Sequence, residues 1–148
     1  MFSTLSKKSA SYLRPPFPQD RVESWTTDID YDEVLAIVAV LTENDNKRII
    51  GSTSLKFNSQ EPLKHKAELG LTIHDDCQNM GIGTPLLKHI INLAKFKKLK
   101  KIHLNVSAEN DRAIQLYKKA GFTTEGKLEK SSFVNCKYRD EYCMSLFL

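Results

Sequence analysis

The chain has 148 residues, 22 lysines and arginines against 18 aspartates and glutamates, and 41% apolar residues, which suits a single domain spanning residues 1–148 with one core. No run approaches the ~18 apolar residues of a membrane span, and residues 1–30 lack the apolar stretch of a secretory signal. A cytoplasmic protein with no membrane partner is therefore expected. Cys77, Cys136 and Cys143 are odd in number and lack C-x-x-C spacing, and His65, His74, His89 and His103 form no ligand-like pair, so neither a disulfide scaffold nor a metal site is expected. The net charge of +4 is unevenly divided. Residues 1–76 carry 9 basic and 12 acidic side chains, and residues 77–148 carry 13 and 6. One reading is a cation-attracting half followed by a phosphate-attracting half; the other is solvated surface with no partner.

In chain order, residues 1–30 are rich in Ser, Lys and Pro, and Pro15, Pro16 and Pro18 exclude a helix interior there. A short helix before these prolines and a loop after them is expected. Residues 34–42 (VLAIVAVLT) form a nearly continuous apolar run with β-branched residues, the pattern of a strand covered on both faces. Asn44, Asp45 and Asn46 supply turn chemistry, and residues 47–57 read as the returning strand of a hairpin. A polar loop leads to residues 66–73 (KAELGLTI), where Leu69, Leu71 and Ile73 share one face and Glu68, Gly70 and Thr72 the other. From Thr84 to Leu99 the positions Leu86, Leu87, Ile90, Ile91 and Ala94 keep helical spacing, with Pro85 in the first turn. Residues 101–107 (KIHLNVS) alternate as a strand. Asn110 or Asp111 can cap a second helix, which Gly121 stops and whose Ala113, Leu116, Tyr117 and Ala120 line one side. Two strands, residues 123–133 and 138–148, joined near Asn135, complete an α+β (mixed α/β) chain.

The segment Gln78, Asn79, Met80, Gly81, Ile82, Gly83, Thr84 lies between a strand and the strongest helix. Two residues without side chains let a phosphate approach the backbone, and the unpaired amides and macrodipole of a helix start favour an anion. Tight turns also need glycine for backbone reasons alone. A dinucleotide fingerprint fails because Leu86 stands where its third glycine belongs, and a Walker loop fails for want of Gly-Lys-Ser/Thr. The string QNMGIG resembles the Q/R-x-x-G-x-G/A signature of the GCN5-related N-acetyltransferase (GNAT) superfamily. VSAENDRAIQLYKKAGF, further on, is similar to that family's N-x-x-A-x-x-L-Y-x-x-x-G-F segment at Asn110, Ala113, Leu116, Tyr117, Gly121 and Phe122. The ending, EGKLEKSSFVNCKYRDEYCMSLFL, is similar to the RimJ/RimL and spermidine N-acetyltransferase branches, with Cys136 in place of the usual turn glycine.

The resemblance implies a GNAT fold: a mixed twisted sheet of seven elements, flanked by helices, in which the strand of residues 68–73 splays from that of residues 101–107. Acetyl-CoA would lie in the cleft as cosubstrate. Leu71, Thr72 and Ile73 would pair with its pantetheine arm, Gln78, Asn79, Met80, Gly81, Ile82, Gly83 and Thr84 would hold its pyrophosphate, and Asn110 and Tyr117 would contact it. Met1 lies only a few residues upstream of the first matching segment, LSKKSASYLRPP, so the family's first strand is expected to be missing. An open edge beside residues 34–42 would invite a second copy, giving a homodimer.

Amine acetylation needs a neutral nucleophile, a held oxyanion and a proton for the departing thiolate. Glu68 is the candidate base, directly or through water, and Tyr117 the candidate acid, because a phenol of pKa ~10 stays protonated at neutral pH. A backbone N–H of residues 71–73 would hold the oxyanion. Glu68 can equally be a strand carboxylate paired with Lys66 or Lys56, and Tyr117 a core aromatic. Cys77 reads as a small loop or core residue, and the lysine run of residues 95–101 as a solvated helix end more readily than a nucleic-acid contact. Trp25 and Phe17 could line an acceptor pocket or anchor their loop. Asp20, Glu23, Asp28, Asp30, Asp32 and Glu33 would suit a polycation or be solvated. The expected function is acetyl transfer from acetyl-CoA to a primary amine of a small molecule or a protein N-terminus, with a silent acyl-CoA sensor and a nucleic-acid module as alternatives. The expected partner is an amine acceptor rather than nucleic acid.

Overall fold

A computed structural model describes Ser6 and residues 30–148. Six strands and two α-helices follow in chain order: β1 Val34–Glu43, β2 Asn46–Phe57, β3 Lys66–Ile73, α1 Gly83–Phe96, β4 Lys101–Ser107, α2 Asp111–Lys119, β5 Thr123–Val134 and β6 Lys137–Phe147. Single 3-10 turns lie at Glu61–Leu63 and Asp75–Cys77. Among the described residues the sheet has the order β1-β2-β3-β4-β6-β5, with every neighbouring pair antiparallel except β3 and β4. This is the mixed α+β architecture that the pattern predicts. The expected N-terminal helix, the missing first strand, Trp25, Phe17 and the acidic residues up to Asp28 lie outside the described residues.

The β1–β2 turn has the predicted chemistry: Asn44 and Asp45 take φ of 46° and 64°, the left-handed pair that a tight hairpin requires. At the β5–β6 turn Asn135 and Cys136 take φ of 51° and 59°. Cysteine thus occupies a backbone conformation that glycine adopts freely, yet Val134 still pairs with Lys137 and the hairpin closes.

One expectation fails. β1 is not covered on both faces, for its burial alternates and Val38 and Val40 are 48% and 47% exposed. The strand is the end of the described sheet, so one face meets the core edge and the other has no packing partner among the described residues. A run of apolar residues reports hydrophobicity; the neighbours decide which faces are covered.

The core lies on one face of the sheet. Leu55, Ala67, Leu69, Ile102, Leu104, Val106 and Met144 meet Leu87, Ile90 and Ala94 of α1 and Ile114 and Tyr117 of α2. The register puts these strand residues together, pairing Leu55 with Leu69, Ala67 with Ile102 and Leu104 with Met144. Ile90 has no exposed surface, and truncating such a side chain to alanine costs roughly 2–5 kcal/mol. In α2, Tyr117 is buried as expected and Ala113, Leu116 and Ala120 pack against the core, but Ile114 is buried more deeply than any of those three.

Candidate active site

β3 and β4 share only three rungs, Lys66 with Lys101, Ala67 with Ile102 and Glu68 with His103. Beyond Glu68 the two strands have no common pairs, although β3 stays paired with β2 as far as Ile73 and β4 with β6 as far as Ser107. The sheet therefore opens between two otherwise fully engaged strands. The side of residues 69–73 that faces β4 has no sheet partner among the described residues and can take an added strand-like ligand.

Above the opening lies a cleft of about 420 Å³. Its wall includes Leu71, Thr72 and Ile73 from β3, Gln78, Asn79, Gly81, Ile82, Gly83 and Thr84 from the loop and the start of α1, and Asn110 and Tyr117 at α2. Most of the predicted binding residues thus come together. Met80 does not join them, being 67% exposed and absent from the wall.

The loop is built to present backbone. Asn79 and Gly81 have φ of 66° and 76°, a conformation that turns successive amides toward a common side. A Cβ on Gly81 would meet nothing within 4 Å, so the space there is open for a ligand to reach the main chain. Gly83 answers a different need: a Cβ there would come within 3.0 Å of Leu116 Cδ2, so its absence lets α1 start close to α2. Ile82 precedes α1 without a side-chain cap, and the first turn carries no acid. The first amides of that helix are left for an anion. Gln78 braces the loop from below, donating from Nε2 to the Ile73 carbonyl at 3.4 Å and to Asp75 Oδ1 at 3.1 Å. Asp75 also accepts from the Ser6 N–H at 2.6 Å.

Asn110 caps α2, with Oδ1 accepting from the Ala113 N–H at 3.3 Å. Seven residues on, Tyr117 is only 6% exposed and packs on Phe122 with ring centroids 5.6 Å apart. Burial pushes its hydroxyl up to about 12, because the phenolate is the form that loses solvation. Glu68 lies elsewhere. It is exposed, absent from the cleft wall and, by alternation, on the sheet face opposite Ala67 and Leu69. Its register neighbours are Lys56 and His103, and it forms no salt bridge among the described residues.

Arg112, Gln115 and Lys119 of α2 also line the cleft, and the sequence reading does not single them out. Their signal is positional: counted from Asn110 they fall on the flank of α2 that carries Leu116. Cys77 lines the cleft too, but as a buried loop residue 3.7 Å from Arg48 Nη2. At the end of α1, Lys97 lies over the Phe57 ring and Lys101 is paired with Glu125. No group of metal-ligating side chains occurs among the described residues, and none of their helices is long and apolar enough to cross a membrane.

A parallel strand pair that parts after three rungs, followed by a glycine loop and an uncapped helix, is the arrangement that the resemblance to the GNAT superfamily implies. Residues 3–122 match the profile of the Acetyltransferase (GNAT) family, and the chain belongs to that family of acetyl-transferring enzymes. It is 26% identical over 135 residues to L-amino acid N-acetyltransferase AaaT of Escherichia coli K12, a match covering 90% of this chain and 80% of the relative. It is 34% identical over 86 residues to spermidine N(1)-acetyltransferase of the same organism, covering 57% of this chain but only 46% of that protein. Among solved structures, ribosomal-protein-alanine N-acetyltransferase from Brucella melitensis superposes with a TM-score of 0.77 at 23% identity, covering 87% of this chain and 78% of that one.

Proposed function

We propose that this protein, acting as a single domain over residues 1–148, moves the acetyl group of acetyl-CoA to a primary amine by direct attack with both substrates bound. The observation that carries the reading is the opening of β3 from β4 beneath an uncapped helix start, with Tyr117 on the same cleft. The residues fit the cosubstrate: Gly81 leaves room at the main chain, Arg112 and Lys119 add positive charge, and Asn110 keeps its amide nitrogen for a ligand while Oδ1 caps α2. When bound, acetyl-CoA supplies the activated acyl group.

This chain's residues do the rest. Leu71, Thr72 and Ile73 hold the arm as an added strand would, and one of their N–H groups stabilises the oxyanion. Tyr117, kept protonated by burial, donates to the departing thiolate. Glu68 receives the amine's proton, directly or through water, from the exposed side of β3. The matched relatives are named for amino-acid and polyamine acceptors, so a small amino compound, a polyamine or a protein N-terminus is the acceptor class. We place the enzyme in the cytoplasm, a reading supported by three unpaired cysteines. The edge of β1, which pairs with no other strand among the described residues and leaves Val38 and Val40 exposed, supports a homodimer. Thiol release from acetyl-CoA across a panel of amino acids, polyamines and peptides tests the activity; release with at least one amine is expected, and none with any would reject it.

A further inference from the structure

The Glu68–His103 rung is the last one before the sheet opens. Paired residues of a parallel sheet send their side chains to the same face, with strands about 4.8 Å apart. The carboxylate and the imidazole are therefore neighbours at the apex of the opening, on the face away from Ala67, Leu69, Ile102 and Leu104. Their settings differ. Glu68 is exposed, and its carboxylate has no hydrogen bond or salt bridge among the described residues. His103 is partly buried, and its Nδ1 is fully buried with no hydrogen-bond partner. Leaving such an atom unsatisfied costs about 1–3 kcal/mol, which a purely structural side chain gives no reason to retain.

The surroundings single out Glu68 as the partner. Facing the imidazole are Glu68 and Lys66 from β3, Lys101 from β4, Ser145 from β6 and Glu125 from β5. Glu125 is already engaged, accepting from Lys101 Nζ at 2.7 Å and from Ser145 Oγ at 2.8 Å. Glu68 is the carboxylate left over. Burial, as the largest influence, holds the His103 pKa below its ordinary value, and Lys66 and Lys101 act in the same direction. Glu68 and the Ala67 backbone oppose them. Near neutral pH the ring is uncharged and can take a proton.

We propose that Glu68 and His103 form one proton-accepting pair, in which the exposed carboxylate takes the amine's proton and the imidazole beside it receives that proton. This deepens the acetyltransferase reading and rests on it. An N–H bond of the acceptor's ammonium breaks, its electron pair stays on nitrogen as the nucleophile, and an O–H bond forms on Glu68. That O–H bond breaks as an N–H bond forms on the imidazole, which leaves the carboxylate restored beside an imidazolium. The imidazolium returns its proton to water after the product leaves.

The test is a double-variant cycle with the acceptor found by thiol release, joined to an NMR titration of the His103 ring. Glu68→Gln and His103→Asn are each expected to lower kcat by about 100-fold. The double variant should be no slower than the worse single by more than about threefold, since groups acting as a unit are not additive, while the KM for acetyl-CoA stays put. His103→Gln replaces His103→Asn should the latter fail to fold. Independently of activity, Glu68→Gln should lower the His103 pKa, because it removes the anion that favours the imidazolium. Additive losses, full kcat in the His103 variants, or a His103 titration unmoved by Glu68→Gln would overturn the pair. An inactive wild type would instead reject the acetyltransferase reading, with the titration still deciding whether the two groups are coupled.

Discussion

The two helices of this protein begin in opposite ways. α2 satisfies its own start, with Asn110 bonded to the Ala113 N–H and Asp111 in the first turn. α1 does neither: no side chain caps it, no acid lies in its first turn, and the loop before it holds Asn79 and Gly81 at positive φ. A capped helix end contributes stability, and substituting the cap typically costs ~1 kcal/mol. An uncapped one forgoes that stability and keeps its amides for a ligand. The contrast separates a self-satisfied terminus from one proposed to bind phosphate within the same cleft wall.

The largest expected effect comes from closing the open space. Gly81→Val puts a β-branched side chain at φ of 76° and fills the ligand's approach. CoA affinity by calorimetry should fall by about 100-fold, and the backbone strain itself should cost roughly 1–2 kcal/mol. Next is Tyr117→Phe, which removes the proposed proton donor and keeps the ring against Phe122; kcat should drop by about 100-fold with CoA affinity unchanged. Its titration gives a second readout. With the folded pKa at about 12 and an unfolded value near 10, the folded state holds the proton more tightly. Stability contributed by that preference is complete below pH ~10 and is lost as pH rises toward 12, by on the order of 2 kcal/mol. Tyr117→Phe should abolish that alkaline loss in a denaturant series.

Asn110→Ala sharpens the comparison from the capped side. It should lower stability by ~1 kcal/mol and weaken CoA binding only several-fold, the reverse of the balance expected at α1. The smallest change lies far from both helices: Cys136→Gly relieves the left-handed strain at the β5–β6 turn and should raise unfolding free energy by roughly 0.5–1 kcal/mol, with activity unchanged.

Local pattern carried much of this structure. Alternation in residues 66–73, the helical spacing behind Thr84, and Asn110 and Gly121 as start and stop signals each depend on neighbours a few residues away, and the elements lie where those signals put them, except that the first helix ends at Phe96 rather than Leu99. The glycine loop and Tyr117 were legible because two ordered motifs fixed them. Burial of β1 was not, since it depends on which strands flank it. Arg112 and Lys119 stayed hidden because a charged residue on a helix flank looks the same whether it faces a cleft or water. The neighbourhood of Glu68 was likewise out of reach: Lys56 and Lys66 are near it in sequence or hairpin register, whereas His103 meets it only through a parallel crossover.

The difference between the two helix starts is tested most directly by adding to α1 what α2 already has. Thr84 is an exposed first-turn residue of α1, and Thr84→Asp places a carboxylate where the helix dipole favours one, by about 0.3–1 kcal/mol. Titrating CoA into the wild type and this variant by calorimetry, with a thermal melt of each free protein, reads both consequences. The expected result is a melting temperature that is unchanged or higher, together with CoA affinity reduced by about tenfold or more through repulsion of the phosphates. Equal CoA affinity in the two proteins would contradict the assignment of the α1 start as the phosphate site.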